Sequence, residues 1–311
     1  MKLKATIAAS LLAITICSFC SLLGPAAVAS TSMPPVVSTA WLADHLDDPD
    51  LITLHIGPAG SYEEKHIPGA RAASLRRIIR VNEAGIRDEM LEAADIAEAL
   101  SELGIKENSR IAVYFSDENA AWAVARYLLT LEYVGMTGRV AYVDGGLPKW
   151  VTEERPVSKE TPSFETTDLS VTIAPGVVES TEWLKNRFEN SGIAVVDGRP
   201  SEGYSGLAGH WDRLGHIPGA KNIPFFTLLA EDPPYLLKSR DELADIFLDA
   251  GAEEGDTVVV YCGTGLWASL PYLAARYLGY EARLYDGSFQ EWAATADLPV
   301  AESTQRSDSN K

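Results

Sequence analysis

The stretch Thr257–Ser269 reads TVVVYCGTGLWAS, and it decides how the rest of the chain is read. A run of β-formers and a tyrosine lead into Cys262, and glycines follow at Gly263 and Gly265. After Trp267 the pattern turns helical, with Ser269 and Pro271 suited to a first turn. The spacing predicts a strand, a tight loop and a helix, with a thiol at the hinge. Such a loop points successive backbone N–H groups at one spot, beside the positive end of a helix dipole. A cysteine there is expected to ionise readily, because its thiolate is stabilised and accessible. The alternative is a buried structural cysteine at a strand end. The two glycines favour the reactive reading, since they let backbone approach whatever the sulfur holds.

Outward from this loop, the chain repeats itself. STAWL at Ser38–Leu42 returns as STEWL at Ser180–Leu184, and HIPGA at His66–Ala70 returns at His216–Ala220. YVDGGLPKW at Tyr142–Trp150 is echoed by LYDGSFQEW at Leu284–Trp292. The second copy therefore carries extra residues before its HIPGA and fewer after it. In the first half, strands are predicted at Leu51–Ile56 and Ile111–Phe115, with helices over Ala93–Leu103 and Ala120–Leu131. In the second half, Ile193–Val196 and Thr257–Tyr261 read as strands, and Arg240–Ala250 and Ser269–Leu278 as helices. Strands separated by helices imply an α/β fold: two homologous domains, each a mainly parallel sheet with helices on both faces. The expected division is a first domain at 36–152, a polar, proline-bearing linker at 153–175, a second domain at 176–301 and a disordered tail at 302–311. Sites in open sheets of this kind lie beyond the carboxyl ends of strands, where Cys262 falls.

Residues 1–29 read as a signal peptide. Lys2 and Lys4 precede an apolar run from Ala5 to Leu23, and Ala27-Val28-Ala29 supplies a small-residue cleavage site before Ser30. Lipoprotein processing would need a small residue before the cysteine, and Ile16 and Phe19 stand there instead. The expectation is an exported protein, periplasmic or secreted, with no stable membrane association after cleavage. Cys17 and Cys20 leave with the signal, so Cys262 remains alone and no internal disulfide is expected. The formal charge of −18 becomes more negative still when a segment with two lysines and no acids is removed. That balance argues against nucleic acid or an anionic membrane as partner. It does not exclude a small anion, because local loop dipoles outweigh distant screened charge.

Taken together, the two HIPGA segments, the YVDGGLPKW and ARLYDGSFQEW endings and the CGTG loop resemble the rhodanese family of sulfurtransferases in its tandem two-domain form. The resemblance spans nearly all of residues 36–301. It implies that Cys262 accepts a sulfane sulfur from a small anionic donor and passes it to a thiophilic acceptor, either cyanide, a thiol or a protein thiol. It implies no metal and no cofactor. Aligning Trp122 with Trp267 puts Asp117 opposite Cys262, where the inactive domain of the family commonly has an aspartate, so the first domain is expected to be a scaffold. His66 and His216 are expected to set local turn structure.

The binding residues implied are the loop Gly263, Thr264, Gly265, Leu266 and Trp267, together with Arg199 and Arg213. CGTG is similar to the CGSG loop of 3-mercaptopyruvate sulfurtransferases, with Thr264 in place of serine, and it lacks the cationic side chains that classical thiosulfate enzymes place there. Relatives of both kinds use an arginine before an aromatic residue in the segment after the first strand of the second domain. Gly203, before Tyr204, holds that position here. Arg199 matches an earlier arginine of the family segment, either paired structurally with Asp197 or turned to the donor, while Arg213 lies in an inserted stretch. The mercaptopyruvate branch places an aspartate where this chain has His55. Trp267 lines the donor pocket or packs on the adjacent helix. Two other classes stand beside this one. A cysteine phosphatase or arsenate reductase would want an arginine where Ala268 stands, and a non-catalytic tandem module would bind a partner or deliver a persulfide.

Overall fold

The computed structural model describes residues 32–117 and 120–302. The expected signal peptide, and all of the expected tail except Glu302, lie outside them. The first half runs β1 (Val36–Ser38), α1 (Thr39–His45), β2 (Leu51–Ile56), α2 (Ser61–Glu64), β3 (Arg71–Ala72), β4 (Ile79–Arg80), β5 (Glu89–Met90), α3 (Ala93–Glu102), β6 (Arg110–Phe115), α4 (Ala121–Leu131), β7 (Val140–Asp144) and α5 (Gly146–Thr152). The second runs β8 (Val178–Glu179), α6 (Thr181–Lys185), β9 (Ile193–Asp197), α7 (Ser201–Ser205), β10 (Lys221–Asn222), α8 (Arg240–Asp249), β11 (Thr257–Tyr261), α9 (Ser269–Leu278), β12 (Glu281–Tyr285) and α10 (Ser288–Ala294).

Each half builds a five-stranded parallel sheet, in the order β3-β2-β6-β7-β1 and, equivalently, β10-β9-β11-β12-β8. The central strands are covered on both faces, so β11 reads as an unbroken β-branched run, and Val258, Val259 and Val260 are fully buried. α8 starts on a capping box in which Ser239 and Glu242 exchange side-chain and backbone bonds. α9 stops at Gly279, whose φ of 100° suits glycine.

The repeated words make repeated contacts. Tyr114 and Tyr261, at the ends of β6 and β11, each accept the isoleucine N–H of a HIPGA turn, from Ile67 at 3.0 Å and Ile217 at 3.1 Å. Tyr62 stacks on His66 and Tyr204 on His216, both at 3.9 Å, and each histidine Nδ1 bonds the carbonyl of its tyrosine. Trp150 and Trp292 each donate Nε1–H to a proline carbonyl at 2.7 Å, closing the chain that leaves each half. Both histidines thus hold local structure.

The two halves share one interior. α4 is buried on every side, and a single apolar cluster runs from Ile52 and Leu54 through Val124 and Leu128 to Val258 and Leu284. α4 packs on α9, where Glu132 accepts the Tyr272 hydroxyl at 2.6 Å and pairs with Arg276 at 3.3 Å. Residues 153–175 run without helix or strand, laid against the first half by Leu169 N–H to Ser101 Oγ (3.0 Å) and Ala174 N–H to Tyr133 O (2.7 Å).

His55 occupies the first-half position of Asp197, since His55 pairs with Tyr114 as Asp197 pairs with Tyr261. Its Nδ1 lies 3.0 Å from the Tyr114 hydroxyl and its Nε2 2.9 Å from Ser61 Oγ. Because that hydroxyl already accepts from Ile67, its own proton points to Nδ1, and Nε2–H donates to Ser61. Burial, aided by the nearby His66, pushes His55 down to about 4. Below its ordinary value of about 6.5, the unfolded chain takes up a proton that the folded chain resists. Unfolding free energy is therefore expected to fall by up to about 3 kcal/mol as pH drops from about 6.5 to about 4. Denaturant titrations over that window should show the slope reduced in His55→Gln.

Candidate active site

Cys262 is the first residue after β11, and its backbone is pinned on both sides. Its N–H donates to Ser288 Oγ at 3.2 Å, and its carbonyl accepts from Phe289 N–H at 3.0 Å. Gln290 N–H takes the next carbonyl, that of Gly263, at 3.1 Å. The loop then curls so that Gly265 N–H donates to Cys262 Sγ at 3.2 Å. Gly265 has φ of 88°, and a Cβ there would sit 2.8 Å from the Asp286 carbonyl, so only glycine closes this curl. The loop runs straight into α9, whose Ser269 Oγ donates back to the Gly265 carbonyl at 3.3 Å.

Cys262 borders a cavity of about 690 Å³ that is also lined by Thr264, Leu266, Trp267, His210 and Trp211. It is 1% exposed. The expectation of a readily ionised, accessible thiol needs correction. Burial pushes the Cys262 thiol above its ordinary value, against the pull of N–H groups from Ala268, Thr264 and Gly265. The amide cradle is present as the sequence implied, but complete desolvation outweighs it in the resting protein.

The other expected residues divide. Gly263, Thr264, Leu266 and Trp267 line the cavity, while Gly265 shapes it from behind. Trp267 presents itself to the cavity and stacks on Phe225 (5.1 Å, 20°), in the turn after β10. Arg199 also lines the cavity, yet it is locked to Asp197: Nε donates to both carboxylate oxygens at 3.0 Å, and Nη2 bonds one of them and the Gly215 carbonyl. Asp197 is fully buried and Arg199 is 4% exposed, so the pair reaches the cavity with its charge already neutralised.

Arg213 does not reach the cavity. Its three guanidinium nitrogens donate to the carbonyls of Trp292, Ala293, Thr295, Ala296 and Leu298, capping the end of α10 and the turn beyond it. An inserted arginine looked available for a ligand because sequence shows a charge but not the orphan carbonyls that claim it.

The placement of Asp117 also changes. The matched tyrosines Tyr114 and Tyr261 make Phe115 the counterpart of Cys262, and Phe115 is fully buried. Gly146, the counterpart of Ser288, confirms the register, since a Cβ there would meet the Phe115 carbonyl at 2.5 Å. Asp117 instead borders a first-half cavity of about 670 Å³ together with His55 and Trp122. Aligning tryptophans misplaced it because the loops after β6 and β11 differ in length.

Arg87, His210 and Trp211 are among the cavity residues that the sequence reading did not single out. Arg87 comes from the first half, and His210 and Trp211 from the residues that lengthen the second copy before HIPGA. That lengthening, with its adjacent aromatics, was the available signal; Arg87 had none. Among the described residues no group of His, Cys, Asp or Glu is arranged to hold a metal.

A Rhodanese-like domain model matches residues 38–153 and again 180–295. The chain belongs to the rhodanese family. Its tandem rhodanese domains are similar to the thiosulfate sulfurtransferase of Pseudomonas aeruginosa, 30% identical over 87% of this chain and 98% of that protein. They are equally similar to the 3-mercaptopyruvate sulfurtransferase of Escherichia coli, 30% identical over 85% and 96% of the two chains. The crystal structure of SseA from Escherichia coli, a 3-mercaptopyruvate sulfurtransferase, superposes with a TM-score of 0.71 at 25% identity, over 83% of this chain and 99% of that one. This rhodanese is accordingly an enzyme of the sulfurtransferase class.

Arg213→Ala is expected to lower stability by about 2–3 kcal/mol, the scale of losing charged hydrogen bonds, and to leave the donor KM within twofold. Asp117→Ala should leave turnover within a few-fold. Thermal denaturation beside steady-state kinetics checks both.

Proposed function

We propose that this protein is an exported sulfurtransferase that moves a sulfane sulfur from thiosulfate or 3-mercaptopyruvate to a thiophilic acceptor through a persulfide on Cys262. One observation carries the reading: Cys262 borders a cavity, and its sulfur accepts the Gly265 N–H at 3.2 Å. Attack by the thiolate on the outer sulfur of the donor forms one S–S bond. The old S–S or C–S bond breaks, and its electron pair leaves with sulfite or with pyruvate, which takes a proton from water. The terminal sulfur of the persulfide carries the negative charge, and the N–H groups gathered around Cys262 are the donors that stabilise it, in the manner of an oxyanion hole. Attack by cyanide or a thiol on that terminal sulfur releases thiocyanate or a new persulfide and returns the Cys262 thiolate.

Donor transfer and acceptor transfer at one sulfur make a double-displacement cycle. Two sulfurtransferase names stand among the relatives, one for each donor, and the proposal takes in both. Export is supported by Lys2, Lys4, the apolar run and Ala27-Val28-Ala29 before Ser30.

Mass spectrometry after donor treatment is expected to find one added sulfur, on the peptide containing Cys262. Parallel initial-rate lines at varied donor and cyanide concentrations should accompany it. Cys262→Ser should lose transfer by at least about a thousandfold, the scale of removing a covalent nucleophile. Undiminished transfer in that variant would remove the mechanism.

A further inference from the structure

The cavity above Cys262 is bordered by two arginines, and they differ in what they have left to give. Arg199 is neutralised by Asp197. Arg87 makes no ion pair among the described residues; its side-chain contact is His210 Nε2, 3.4 Å from Nη2. Arg87 is exposed at the tip yet fixed at the backbone. Its N–H donates to Gln290 Oε1 at 3.1 Å, and Gln290 Nε2 donates back to its carbonyl at 2.7 Å. Gln290 is 7% exposed and is the same residue whose N–H holds Gly263 of the loop. The next residues are tied down as well: the Asp88 carbonyl accepts Arg126 Nη2 at 2.9 Å, and Met90 N–H donates to Asp286 at 2.8 Å.

We infer that Arg87 binds the anionic end of the sulfur donor from across the two halves, in place of the arginine absent at Gly203. The inference rests on the sulfur-transfer reading above. A charged group on a clamped backbone loses little freedom on binding, and a planar guanidinium can hold two oxygens of a sulfonate-like or carboxylate group at once. In a chain with formal charge −18, a local cation at the cavity is also what draws an anion in. The shared chemistry is an oxyanion beside a transferable sulfur, which thiosulfate and 3-mercaptopyruvate both carry.

Steady-state rates with each donor, cyanide as acceptor, test it in Arg87→Ala and Arg87→Lys. Arg87→Ala is expected to raise the donor KM at least tenfold, change kcat less than threefold and leave the cyanide KM within twofold. Arg87→Lys should recover part of the loss, and the rise of KM with ionic strength should flatten in Arg87→Ala. The donor whose KM moves more is the one whose anion Arg87 holds. A KM within twofold of the parent for both donors overturns the inference. A fall in kcat at unchanged KM overturns it too, because the clamp would then act only by positioning the loop. If the parent protein takes no sulfur onto Cys262 from either donor, the sulfur-transfer reading falls and this role with it; an unchanged KM in a protein that turns over removes Arg87 alone.

Discussion

The ion pair between Arg126 and Asp286 is the contact on which the site depends. Arg126 is fully buried on α4 in the first half, and its Nη1 lies 2.7 Å from Asp286, just past β12 in the second. The same guanidinium reaches the Gly265 carbonyl at 3.4 Å and the Asp88 carbonyl at 2.9 Å, while Asp286 takes the Met90 N–H. One buried pair therefore ties the sulfur loop of one half to the other half's hairpin, in which β4 and β5 pair antiparallel on either side of Arg87. Such a pair adds little net stability over an apolar replacement, but losing one partner strands the other charge at a cost of about 3–5 kcal/mol. Its worth here is geometric: it sets where the loop and the hairpin stand relative to each other.

That geometry explains why a tandem protein keeps a half without a thiol. Phe115 fills the place of Cys262, so the first half holds an apolar ring where the second holds a thiol. It nevertheless supplies α4, Arg126 and the Arg87 hairpin. A single half would leave the buried face of α9 and the back of the Gly265 turn open to water. The first half is thus a wall of the cavity as well as a scaffold.

Within the cavity, two opposing effects meet at one sulfur. Complete burial disfavours the thiolate, and the N–H groups of Thr264, Gly265 and Ala268 favour it.

Much of this was legible in the residues alone. Periodicity placed β2, β6, β9 and β11 and the long helices within a residue or so, because fully buried parallel strands and amphipathic helices leave strong local patterns. The repeated HIPGA and tryptophan motifs announced the duplication, and the thiol between a strand and two glycines pointed to the loop that borders the second-half cavity. Only the tertiary structure decided the rest. Arg199 and Arg213 were both arginines near the right segment, and which carbonyls or carboxylates claimed them depended on Asp197 and on the end of α10. The counterpart of Cys262 followed from a hydroxyl accepting a distant N–H, a relation no alignment of tryptophans contains. Arg87 is far from Cys262 in sequence and joins its cavity because Gln290 clamps it there. Local pattern records what a residue does to its own strand or helix; which charge is left unspent, and where, is a property of the assembled chain.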